Sequence, residues 1–106
     1  MSKSSTTTKR AKLSPIHPGR ILLEDMKDEE VSINALAQAI RVPANRISLI
    51  VNERRAITAD TALRLATFFG TSPEYWLNIQ NQYDLACIDR DAVGPHISQV
   101  DQGRRI

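Results

Sequence analysis

Asn45, Arg46, Ser48 and Asn52 lie in one short amphipathic stretch, "PANRISLIVN", whose polar face carries no acid. Side chains of these types suit the edges of bases. Asn pairs bidentately with adenine, Arg with guanine, and a small or aliphatic side chain can touch a thymine methyl. With Ile47 and Ile50 inward at helical spacing, Ala44, Asn45, Ser48, Leu49 and Asn52 face outward, with Arg46 at the flank. These six are the expected base contacts. Arg54 and Arg55 follow in a loop and suit backbone phosphate. Ser32 and Thr58 open neighbouring helices whose free N–H groups attract phosphate, so they join the expected phosphate contacts.

Such a face must be held by a scaffold. Two short helices joined by a turn of about three residues make a helix-turn-helix, and its steric demands can be checked. The first helix needs a small residue where the second crosses it, and Ala37 stands there. The turn residue takes positive φ, where Gly is favoured; here it is Arg41, at a cost of about 1 kcal/mol. Val42 then plugs the core, and Ile47 and Ile50 face inward. An ordinary αα-hairpin is the alternative.

The rest reads as an all-α chain of five helices in a single domain. Pro18 suits a first helical turn, and Ile21, Leu22 and Met26, with Leu23 beside them, form a stripe through about Lys27. Ser32 caps a second helix, with Ile33, Leu36, Ala37 and Ile40 on one face. Pro43 opens the third, with Val51 inward beside Ile47 and Ile50. Thr58 caps a fourth, with Ala62, Leu63, Leu65, Ala66 and Phe69 inward and Gly70 at its left-handed end. Ser72, Pro73 and Glu74 start a fifth, running through "YWLNIQNQYDLACI". Its apolar residues cover most of its circumference, more than one core contact requires. The surplus suggests a second copy of the chain, with Trp76, Ile79, Tyr83 and Cys87 as dimer contacts. A symmetric dimer sets two recognition helices ~34 Å apart, one DNA turn.

The helical domain is expected over residues 16–90. Residues 1–15, basic and poor in apolar side chains, are expected to be disordered, and 91–106 to be a loose tail. The net charge of +2 says little, but its distribution says more. Arg41, Arg46, Arg54, Arg55 and Arg64 form one basic region, and Glu24, Asp25, Asp28, Glu29 and Glu30 one acidic stretch, which suggests two partner surfaces. The acidic stretch is either a solvated helix end or a contact for a basic protein.

Several classes are excluded. His17 and His96 lie in different segments, and the acids have no His or Cys partner, so no catalytic, metal or cofactor site is expected. His17, before Pro18 and Gly19, reads as a helix-start residue. Cys87 is the single cysteine, so the chain has no internal disulfide and Cys87 reads as a small hydrophobe. This fits a reducing cytoplasm, the expected compartment. No window approaches the ~18 apolar residues of a membrane span, and no membrane partner is expected.

Three stretches, "HPGRILLEDM", "NALAQAIRVPANRISLIVN" and "ITADTALRLATFFGTSPEYWLNIQNQYDL", resemble the HigA antitoxins, also called VapI-like, within the lambda-repressor-like (XRE) helix-turn-helix domains. The resemblance covers residues of about 16–90. It implies a five-helix, homodimeric repressor. Such a repressor binds a palindromic double-stranded operator and neutralises a small ribonuclease toxin encoded beside it. Carried onto this chain, it implies DNA contacts at Asn45, Arg46, Ser48 and Asn52, with Arg54 and Arg55 on phosphate. The family pattern has Gly where Arg41 and Glu53 stand here. Two other functions stay open: a regulator without a toxin, and a protein-interaction inhibitor without DNA binding.

Overall fold

Most of the helices start where a side chain can accept from the free N–H groups of a first turn. In the computed structural model, which describes residues 15–100, His17 Nδ1 accepts from Gly19 N (2.9 Å) and opens α1 (Pro18–Asp28). Ser32 Oγ accepts from Ala35 N (3.1 Å) at the head of α2 (Ile33–Ile40). Thr58 caps α4 (Ala59–Phe69), and Ser72 caps α5 (Pro73–Ala86). Only α3 (Ala44–Val51) lacks a side-chain cap among these five; Pro43 precedes it in extended geometry. A four-residue α6 (Arg90–Val93) and a single 3-10 turn (Gly94–His96) follow. The described residues therefore hold six helices rather than five, and no strand. The basic segment 1–15 lies outside the described residues except for Pro15, as do 101–106 of the tail.

The apolar stripes converge on one core. Leu22, Met26, Leu36, Ala37, Ile40, Ile47, Ile50, Ala62, Leu65 and Ala66 are buried, as their spacing predicts. Val42 packs half-buried against this core, as a plug should. α1 lies on α3 and α5, α2 on α3 and α4, and α4 on α5. Two expectations fail here. Leu63, expected inward, is 59% exposed, because the stripe of α4 that meets α2 and α5 runs through Ala62, Leu65 and Ala66. Trp76, expected between two chains, is 0% exposed within its own. Its ring packs against Phe69 and Tyr75, and its Nε1 donates to Thr71 Oγ1 (3.0 Å).

Both helices of the pair end with unusual backbone. Arg41 closes α2 at φ 62°, and Glu53, just past α3, sits at φ 63°. Both are left-handed positions that favour glycine. Arg41 is tied down from outside: Arg64 Nη1 on α4 donates to Ile40 O (2.8 Å), satisfying a carbonyl left free at the end of α2.

Candidate nucleic-acid interface

The start of α3 and the start of α2 meet along an open groove of about 450 Å³. Its walls are Ser32, Ile33, Asn34, Ala44, Asn45 and Ser48. Four of the residues named from sequence are thus brought together, and Asn34, which no motif singled out, is added. Only its position two residues after the Ser32 cap could have pointed to it. Asn45 is exposed, and Ala44 and Ser48 are half-buried. Ser32 Oγ and Thr58 Oγ1 accept from Ala35 N and Thr61 N as caps, which leaves the Ser32 O–H free to donate and the remaining first-turn N–H groups open to an anion.

The far end of α3 is more constrained. Asn52 Nδ2 donates back to Ser48 O (2.8 Å) and lies 3.4 Å from Ser48 Oγ. The Asn52 amide is thus turned back onto the Ser48 turn of its own helix. Leu49 is half-buried and lies outside the groove. Arg54 and Arg55 are exposed in the loop before α4, as expected.

Arg46 departs from its expected place among base readers. Its Nη1 lies 3.0 Å from Asp60 Oδ2 on α4, and its Nε is buried without a partner. The same carboxylate oxygen accepts from Arg64 Nε (3.0 Å). The Arg64 hydrogen bond above all, aided by Arg46 and opposed by slight desolvation, holds the Asp60 carboxyl below its ordinary value. The face of α3 has no acid of its own, but α4 brings one to its edge. Sequence reasoning missed Asp60; its i,i+4 spacing to Arg64 could have pointed to that pair, but nothing in the sequence points to the reach to Arg46.

The loop that carries Arg54 and Arg55 is also anchored from a distance. Buried Gln80 on α5 accepts from Ile57 N (2.7 Å) and donates to Asp84 Oδ1 (2.9 Å). Nothing in the spacing of Gln80 distinguished it from a solvated residue. Gln80→Leu is expected to cost about 1–3 kcal/mol, because it leaves the Ile57 N–H buried without an acceptor. A urea titration reads the loss, and hydrogen exchange at the Ile57 amide should quicken more than at core amides of α1.

Of the expected dimer contacts, Ile79 and Tyr83 are half-buried and Cys87 is exposed. Leu85 and Ile88 nearby are 52% and 49% exposed. His17 is buried, capping α1 with its ring edge-on to Tyr83 (4.8 Å). Among the described residues no group of His, Cys, Asp or Glu could hold a metal ion, and no helix is long and apolar enough to cross a membrane.

Two crossed helices, with the start of the second exposed beside the start of the first, define a helix-turn-helix protein. Comparison with known proteins then gives the family. The helix-turn-helix family model matches residues 23–76. Virulence-associated protein I of Dichelobacter nodosus is 51% identical over 77 residues, which cover 72% of this chain and 71% of that protein. The structure of an addiction-module antidote protein of the HigA family from Coxiella burnetii superposes with a TM-score of 0.78 at 43% identity, covering 83% of this chain and all of that one. The Pseudomonas aeruginosa antitoxin HigA, solved with the higBA promoter, superposes with a TM-score of 0.71 at 41% identity, covering 83% and 97%. The chain belongs to the helix-turn-helix family and, within it, to the HigA antitoxins.

Proposed function

We propose that this chain is a sequence-specific DNA-binding antitoxin. It acts as a homodimer, binds a palindromic operator, represses its own operon and neutralises a ribonuclease toxin encoded beside it. The observation that carries this reading is the groove at the start of α3, where Asn45 is exposed between two helix starts. That arrangement offers an amide to base edges and backbone N–H groups to phosphate. The HigA relative solved with its promoter supports the same use of the fold. Asn45 reads bases; Ala44 and the Ser48–Asn52 pair line its flank; Arg54 and Arg55 hold phosphate. The dimer forms through the C-terminal half of α5 and the two residues after it, where Tyr83 and Cys87 adjoin exposed Leu85 and Ile88, and not through Trp76.

A salt-dependent gel shift on the protein's own promoter, against scrambled DNA, tests this. The promoter should be retarded at moderate salt and the scrambled DNA should not. Asn45→Ala should weaken promoter binding by about 1–3 kcal/mol and leave scrambled DNA nearly unaffected. Arg54→Ala should weaken both alike and flatten the salt slope by ~1.8, one phosphate contact of ~0.9 being lost from each protomer of the dimer. Equal, weak binding of the unaltered protein to both DNAs, vanishing with salt, would contradict the repressor reading.

A further inference from the structure

One acid stands at the edge of the face that would meet DNA, and it holds a cation of that face. Asp60 occupies the second position of α4, and its side chain is 58% exposed. Its Oδ2 accepts from Arg46 Nη1 and Arg64 Nε, both at 3.0 Å, while Arg64 Nη1 reaches Ile40 O at 2.8 Å. The chain of contacts runs from the recognition helix through α4 to the end of α2. Arg64 is thereby committed to the fold, since it closes a carbonyl beside the strained Arg41. Arg46 is committed only by Asp60.

The geometry decides what Arg46 can then do. A guanidinium reads guanine bidentately through two neighbouring N–H groups, either Nε with one amino group or both amino groups together. Nε is buried, which closes the first edge. Nη1 is shared with Asp60, which compromises the second. While the pair persists, Asp60 competes with guanine for Nη1 on the one edge left open, and part of the Arg46 charge is neutralised. An arginine released at this place would bind phosphate on any sequence, because phosphate attraction carries no base information.

Resting on the DNA-binding reading above, we infer that Asp60 is a specificity-determining residue: it restrains Arg46 and so suppresses sequence-independent binding to phosphate. It is a positioning residue, acting on DNA through Arg46 and not by contact. Specificity is a difference of affinities, and weakening the wrong complex raises it as surely as strengthening the right one.

The test compares salt-dependent binding of the full chain to its promoter and to scrambled DNA. Asp60→Asn and Asp60→Ser, both neutral and both suited to a helix start, should bind scrambled DNA about fivefold more tightly at physiological salt. Their salt slope should steepen by ~1.8, one contact of ~0.9 gained by each protomer, and the promoter preference should fall. Asp60→Glu, which can still reach Arg46, should restore the original slope and preference. In an Arg46→Met background, Asp60→Asn should change neither. A folded neutral variant with unchanged slope and preference overturns the inference. So does a gain of the same size in the Arg46→Met background, which would make Asp60 a bare repulsive charge. The two readings fail differently. If the unaltered protein shows no preference for its promoter, the DNA-binding reading falls and this inference falls with it. If it shows that preference and the neutral variants match it, only this inference falls.

Discussion

Gly19→Ala is expected to destabilise the protein by about 3 kcal/mol and to impair promoter binding beyond what the loss of folded protein explains. A Cβ at Gly19 would lie 1.9 Å from Ile50 O and 2.8 Å from Ile50 C. The obstacle is backbone and cannot rotate away. α1 and α3 would have to separate, or Gly19 would have to give up its hydrogen bond to His17 Nδ1. Ile50 lies near the end of α3, so a shift there moves the face that carries Asn45. Gly70→Ala is the useful contrast. Gly70 has φ 74° but nothing within 4 Å of its missing Cβ, so that change should cost only about 1 kcal/mol of backbone strain and leave promoter binding intact. Urea titrations of both variants, with gel shifts at a temperature where each is folded, separate the two effects. Equal losses for the two would mean that the close approach of α1 to α3 is not what requires glycine at 19.

Trp76→Ala should cost about 3–5 kcal/mol, a large part of the 5–15 kcal/mol that holds a small domain. The ring is fully buried against Phe69 and Tyr75, and its removal leaves a cavity between α4 and α5. Thr71 would also lose its donor, although an exposed hydroxyl can recover one from water. The variant decides between two roles for this residue. A buried Trp76 lowers the unfolding midpoint by the same amount at every protein concentration. A Trp76 shared between two chains would instead weaken association and shift the midpoint mainly in dilute solution. The first result is expected; the second would return Trp76 to the dimer interface.

Local signals were legible along the chain because they act over one helical turn. The caps at Ser32, Thr58 and Ser72 were readable, since a hydroxyl needs only the N–H groups two or three residues on. The left-handed closures at Arg41 and Gly70 followed from where a helix must stop. The inward set Ala37, Val42, Ile47 and Ile50 specified the helix-turn-helix, because its spacing is a rule of two helices packed at close range. The exposure of Asn45 followed from the same periodicity.

Contacts between distant segments were not legible. The surplus of apolar residues on α5 signalled two surfaces but could not assign Trp76 to the inner one, because that depends on how α5 rolls against α4. Leu63 looked as apolar as Leu65 until the packing direction of α4 put one in solvent and the other in the core. Gly19 met Ile50, Gln80 met Ile57, and Arg46 met Asp60 only once the helices had crossed. The sequence by itself determined the five longer helices, their capped starts and which residues of α3 face outward. The tertiary structure decided which of those residues are free to act, because a side chain's partners depend on the angles and offsets at which whole helices pack, and no one-dimensional period encodes them.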